Sequence, residues 1–170
     1  MTDRSLERAS SPKLPPRWFI RGAWAGHRAV HRLTGGRRGL AHPKGPGGQF
    51  GYLRLKTIGR RSGTERAAIL GYVEDGPNLV TLAMNGWGDP DPAWWLNLRA
   101  RPDATVELKG GATVSVRARE AVGEERQRLW ALVKGYRGWG DDIDAFARRR
   151  SSTAVVVLEP RPEPGMVDRP

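Results

Sequence analysis

The chain has 170 residues, a formal net charge of +11, a pI near 11.1 and no cysteine. The missing cysteines exclude disulfides, thiolate nucleophiles and cysteine-ligated metals, and they suit a reducing cytoplasm. No segment reaches the roughly 20 apolar residues of a bilayer-spanning helix. One soluble domain, peripheral to a membrane at most, is therefore expected, with a core large enough to fold without staples. The charge admits nucleic acid, an anionic surface or an acidic cofactor as partner and does not choose among them.

Residues 1–16 are polar, end in prolines and lack the apolar core of a signal peptide, so they read as a loose tail. From Arg17 to Leu33, Trp18, Phe19, Trp24, Val30 and Leu33 are interspersed with Arg21, His27, Arg28, His31 and Arg32. This pattern predicts a basic and aromatic helix, which either covers one end of the domain or lies on a membrane interface. His27 and His31 are spaced i,i+4, but no acidic general base accompanies them in a metalloprotease arrangement. With His42 they are read as packed or interfacial residues, and no metal is expected. Thr34-Gly35-Gly36 ends the helix, and Gly39 to Gly48 reads as a loop.

Tyr52 to Lys56 alternates with period two, and a second strand runs through Ala68, Leu70 and Tyr72. Asp75-Gly76-Pro77-Asn78 marks a hairpin before a strand from Leu79 to Met84. Pro92 opens a short helix over Ala93 to Arg99. Strands at Thr105 to Lys109 and Thr113 to Arg119 flank the turn signal Gly110-Gly111. Gly123 to Lys134 reads as a helix with Glu124 and Glu125 in its first turn, and a shorter helix is placed over Asp141 to Arg149. The branched run Ala154 to Leu158 is a central strand, and the last residues, 161–170, are read as irregular. The fold expected is mainly β with added helices: one split β-barrel of about six antiparallel strands over residues 17–160. An α+β sandwich with its helices on one face is the alternative. No Rossmann or P-loop signature is present.

Three segments carry chemistry. Thr57 to Arg66 sets Gly59, Arg60, Arg61, Ser62, Gly63 and Arg66 between two strands. Its glycines let the backbone bend and expose N–H groups, and its guanidinium groups match phosphate or carboxylate oxygens. A hairpin needs nothing so cationic, whereas an anion-binding turn does. The second segment, Met84-Asn85-Gly86-Trp87 continuing to Trp94 and Asn97, runs from a strand through glycines to a helix start. Glycines there allow the backbone to approach a flat ring, while the tryptophans can equally be core or interface residues. In the third, Gly135 to Gly140, Tyr136 and Trp139 lie on a glycine-rich loop that reads as a lid over an organic substrate or as ordinary packing.

The pattern L-x-T-x-G-R-R-S-G-x-x-R, then P-x-W-W-x-N-L and a valine-rich strand ending E-P, resembles the deazaflavin-dependent nitroreductase family over roughly Arg17 to Pro160. The resemblance implies a split β-barrel that binds the 8-hydroxy-5-deazaflavin coenzyme F-420 and moves a hydride to or from quinones, nitroaromatics or activated alkenes. It puts Arg60, Arg61, Ser62, Gly63 and Arg66 on the anchor for the coenzyme's tail, a phosphodiester followed by lactate and glutamates. It puts Met84, Asn85, Gly86 and Trp87 on the loop that meets the deazaflavin ring, with Trp94 and Asn97 as further cofactor-binding candidates. Family members often carry a basic residue and a second glycine where this chain has Asn85 and Trp87. Tyr136 and Trp139 fall where the family's nitroreductases carry tyrosines near the acceptor, and a third such position is Asp142 here. Tyr136 is the candidate hydrogen-bond or proton donor to the acceptor, with Trp139 stacking on it. The N-terminal segment matches one that meets the membrane in some members.

Competing readings are an FMN-using or haem-handling split barrel, a nucleic-acid-binding barrel and a non-catalytic membrane-surface protein. Nucleic acid is disfavoured, because Trp94 and Trp95 follow the acidic Asp89 and Asp91 rather than interleaving with cations. The expected protein is a cytoplasmic monomer or homodimer.

Overall fold

The structure, a computed structural model, describes residues 39–84, 89–139, 143–148 and 150–161. The tail at 1–16, the basic and aromatic helix at 17–33, and Asn85, Gly86 and Trp87 therefore lie outside the described residues. Six antiparallel strands close into a barrel in the order β1-β2-β3-β6-β5-β4. They are β1 (Gly51–Ile58), β2 (Glu65–Asp75), β3 (Asn78–Leu82), β4 (Asp103–Glu107), β5 (Thr113–Glu120) and β6 (Val155–Pro160). Helix α1 (Ala93–Ala100) joins β3 to β4, and α2 (Gly123–Lys134) and α3 (Ile143–Ala147) join β5 to β6.

Period-two alternation builds the wall. In β1 every second residue from Gly51 to Thr57 is buried, and the residues between them are half-buried. Leu53 and Leu55 point inward with Tyr72, Leu79, Val106, Val116, Val156 and Leu158, and Trp94, Trp95 and Leu98 of α1 close one end of this interior. Each such large side chain contributes about 1.5–3 kcal/mol on leaving water.

The opposite faces of β2, β3 and β6 form a second core outside the barrel. There Val73, Val80, Leu82, Val155 and Val157 pack against Leu129 and Val133 of α2 and against Phe50, Tyr136, Trp139 and Ile143. β6 is thus buried on both faces from Val155 to Leu158, which explains its unbroken apolar sequence.

Several expected boundaries move. β6 continues through Glu159 and Pro160, because Val116 and Arg117 of β5 pair with them. The β4–β5 connection is a three-residue loop closed by Leu108 and Ala112, with both Gly110 and Gly111 at positive φ. The short third helix spans Ile143–Ala147 and has ended by Arg148, while 141, 142 and 149 lie outside the described residues. Among the described residues no helix is long and apolar enough to cross a membrane.

Candidate functional site

The arginine turn bridges β1 and β2 at one end of the barrel, where Ile58 opposes Glu65 and Thr57 opposes Arg66. Arg60, Arg61, Ser62, Gly63 and Arg66 are all exposed. Gly63, at φ +66°, takes the left-handed conformation that closes the turn. The backbone donors differ from the expectation that the turn offers them outward. The Gly59 N–H donates to Thr64 O and Gly63 to Gly59 O, each at 2.8 Å. The Thr64 N–H reaches Ser62 Oγ at 3.4 Å. The Arg60 N–H is bound by Asn97 Oδ1 at 3.1 Å. Tight turns satisfy their own amides first, so the donors this turn leaves for an anion are mainly its guanidinium groups.

Asn97 lies beneath the turn rather than in it. It is 5% exposed, and its Nδ2 also donates to the buried Thr57 Oγ1 at 3.2 Å. Its amide is thus engaged at both ends in fixing the turn to α1. Trp94, 8% exposed, meets Trp95 edge-on with ring centroids 6.3 Å apart, as part of the barrel plug. Beside the turn, a groove of about 750 Å³ is lined by Lys56, Thr57, Glu65, Asp103, Ser115 and Arg161, among others. Its charges are mixed, so it lacks the single-signed character of the turn.

β3 runs back toward the same end, and its continuation at Met84 packs on the outer core. That outer surface carries the third segment. Trp139 stands 4.5 Å from Phe50, centroid to centroid. A Cβ on Gly71 of β2 would come within 2.8 Å of Phe50 Cε2 and 3.1 Å of Trp139 Cη2. The loop is not a free lid. Arg137 donates its N–H to Gly48 O at 2.7 Å, Gly47 donates to Gly135 O at 2.7 Å, and Gln49 bridges Arg137. Tyr136 and Trp139 are 8% and 5% exposed, and both belong to the outer core, where the Trp139 ring lies against Phe50. Met84, Tyr136 and Trp139 therefore share one cluster, which the sequence separates by about 50 positions.

Sequence reasoning missed Phe50, Gly71 and Arg150. The Arg150 side chain is fully buried and binds Asp91 Oδ1 at 2.8 Å and Ser152 O at 3.1 Å. It ties the segment entering α1 to the one entering β6. One arginine among many gives no signal of this in the sequence. His42, expected to be packed or interfacial, is exposed, with its Nδ1 3.5 Å from the Tyr72 hydroxyl.

The family model described as F420H(2)-dependent quinone reductase matches residues 26–160. The chain belongs to that family. It is accordingly an oxidoreductase of the deazaflavin-using class. A quinone reductase of the same description from Mycobacterium tuberculosis (strain ATCC 25618 / H37Rv) is 34% identical over 142 residues, spanning 79% of this chain and 88% of the relative. A solved F420-H2 dependent reductase aligns with a TM-score of 0.55 and 27% identity over 64% of this chain and 93% of that one. A further structure, described as a domain-swapped dimer, aligns at 0.58 and 25% identity over 82% of this chain and 99% of its own length.

The residues present fit such a coenzyme. The donor set at the turn is three guanidiniums that make no ion pair among the described residues, suited to a phosphodiester. About five residues up the strands, roughly 17 Å at 3.4 Å each, the rings of Phe50 and Trp139 close over Gly71. Beside it the buried Trp139 Nε1 has no hydrogen-bond partner.

Proposed function

We propose that this reductase binds coenzyme F-420 along the outer faces of β1 and β2, with its anionic tail on the arginine turn and its ring toward Met84, Tyr136 and Trp139. The observation that carries this reading is the turn itself, an Asn97-braced platform whose guanidiniums have no carboxylate partners among the described residues. Arg60, Arg61 and Arg66 hold the phosphodiester, with Ser62 and Gly63 shaping the turn. Asn85, Gly86 and Trp87 join Met84 at the ring. Trp94 and Asn97 support the site from below. The coenzyme, when bound, supplies the hydride.

The chain's own work is to bind, orient and exclude water. Tyr136 and Trp139 form a fixed wall rather than a closing lid, against which a flat acceptor stacks. The Tyr136 hydroxyl donates a hydrogen bond, and then a proton, to the oxygen where negative charge develops. The acceptor is a small hydrophobic or aromatic molecule, and a quinone is the first choice. The protein works as a homodimer in the cytoplasm, and the segment 17–33 makes the peripheral membrane contact through which lipid-soluble quinones arrive.

Fluorescence titration with oxidised F-420 and separately with FMN, at low and high salt, tests the reading. Micromolar or tighter F-420 binding with weak FMN binding supports it. Preference for FMN overturns it in favour of the flavin branch of the same fold.

A further inference from the structure

Uncompensated arginines are not confined to the β1–β2 turn. Between α2, α3 and the segment leading into β6 runs a groove of about 430 Å³, lined by Arg126, Trp130, Asp144, Arg148, Ser152 and Thr153, among others. In the strand order β3 separates β6 from the β1–β2 turn, and the groove shares no residue with that turn.

The cations around it are of two kinds. Arg150 is matched by Asp91 at 2.8 Å, with Asp89 at 4.0 Å. Lys134 is matched by Asp144, whose other carboxylate oxygen accepts the Trp130 Nε1–H at 2.8 Å. Arg126 and Arg148, by contrast, make no ion pair among the described residues. Arg126 is nonetheless held in place. Its guanidinium carbon stands 5.4 Å from the centre of the Trp130 ring, and its Nη2 donates to Thr153 O at 3.1 Å. A guanidinium carries five N–H groups, so most of its donors remain for a ligand.

The hydroxyls of the same segment complete the donor set. Ser151 Oγ lies 3.5 Å from Asp89, whereas the exposed Ser152 hydroxyl makes no bond among the described residues. Thr153 is 4% exposed, and its buried Oγ1 has no hydrogen-bond partner. A buried hydroxyl in that state carries a cost that a ligand can remove. The carbonyl of this same residue holds the Arg126 guanidinium, so an anion drawn to Arg126 arrives beside Thr153.

We propose that this groove is a binding site for a phosphate group. A phosphomonoester near neutral pH carries between one and two negative charges and three strong acceptor oxygens. Arg126 and Arg148 match the charge, while Ser152 and Thr153 donate to oxygens that the guanidiniums leave open. A single carboxylate would leave one of the two cations unmatched. The site stands apart from the coenzyme reading, since none of these residues is assigned to the coenzyme or the acceptor. The phosphate belongs either to a soluble phosphomonoester or to a lipid headgroup, and the two sources are separable by experiment.

The test follows the backbone and indole N–H signals of the full chain by NMR during titration with glycerol phosphate at fixed ionic strength, with chloride as the reference salt. The Trp130 indole signal and the Ser152 and Thr153 amides should shift saturably with the phosphate and not with chloride. Arg148→Gln alters an exposed side chain that makes no bond, and it should weaken this binding about fivefold or more. Arg126→Gln should weaken it as well, whereas Arg60→Ala combined with Arg61→Ala should leave it intact. Sedimentation with phosphatidylcholine vesicles, with and without phosphatidic acid, identifies the source. Capture that requires phosphatidic acid and is lost in Arg148→Gln assigns the site to a headgroup; saturable glycerol phosphate shifts without such capture assign it to a soluble ligand. The proposal is overturned if neither occurs, if chloride produces the same shifts, or if phosphate binding survives both Arg126→Gln and Arg148→Gln. Loss of the shifts in the Arg60 and Arg61 double variant would also overturn it, by placing the phosphate on the turn.

Discussion

Asn97 holds Arg60 by its main chain, its buried Oδ1 accepting the Arg60 N–H at 3.1 Å. The contact links α1 to the β1–β2 turn across 37 residues of sequence. It fixes the direction in which three exposed guanidiniums leave the barrel while leaving their charges free for a ligand. The proposed anion seat is therefore preorganised from beneath, by a residue that need not touch what would bind there.

Replacing Asn97 with alanine leaves the Arg60 N–H and the buried Thr57 hydroxyl without their partner. Chemical denaturation should show a loss of about 1–3 kcal/mol. The F-420 dissociation constant should rise as well, because the turn loosens. A destabilised variant with unchanged coenzyme affinity would show that the brace has no bearing on binding.

Arg60→Ala combined with Arg61→Ala removes two exposed side chains that pack nothing. The melting temperature should stay close to that of the parent. The coenzyme dissociation constant should rise at least about tenfold, from the lost charge-assisted bonds. At saturating coenzyme the turnover number should persist, since tail contacts are equal in ground and transition states. Equal affinity in a folded double variant would sink the assignment of the turn.

Tyr136→Phe and Gly71→Ala separate chemistry from shape at the wall. The first keeps the ring in the outer core and removes only the hydroxyl, so turnover with a quinone should fall by about tenfold or more while coenzyme affinity holds. The second drives a methyl group to 2.8 Å from Phe50 Cε2. It should destabilise by about 1–3 kcal/mol through overpacking and shift Trp139 fluorescence. Full activity in Tyr136→Phe would assign the proton to another donor.

Stability should have two pH limits. Burial acts to raise Glu107, but hydrogen bonds from Lys56 and Arg54 outweigh it and hold its carboxyl below the usual value. Arg128 lowers Asp75, and Arg119 lowers Glu125. Depressed folded values contribute stability above the unfolded range of about 3.9–4.3, and this is lost as pH falls through the lower folded values. Tyr72 runs the other way: burial, then Glu74, pushes it up to about 12. Its contribution is full below about pH 10 and is lost as pH rises through the folded value. Thermal melts should be flat near neutrality, fall below about pH 4 and fall again above about pH 10. A flat profile between pH 2 and 5 would show that these pairs contribute nothing.

Most of the barrel was legible because its strands state their period locally. Tyr52 to Lys56 alternates in sequence as β1 alternates in burial, and Asp75 and Asn78 pair across the Gly76-Pro77 hairpin. The arginine turn was legible because charge density in a glycine turn has no packing explanation. The lid reading of residues 135–140 was less successful. Glycines suggested freedom, but the loop is pinned by Gly47, Gly48 and Gln49, which the sequence places more than 80 positions earlier.

The sequence alone determined the elements, the closed β architecture and the cationic turn, since hydrophobic period, turn residues and formal charge are properties of neighbouring residues. Only the tertiary structure decided which donors the turn keeps for itself and that Asn97 braces Arg60. It also decided that Met84 meets Tyr136 and Trp139 on an outer core, and that Arg150 is buried against Asp91. Those outcomes depend on strand register and barrel closure. Both are fixed by burying apolar surface across the whole chain, and no local window contains that information.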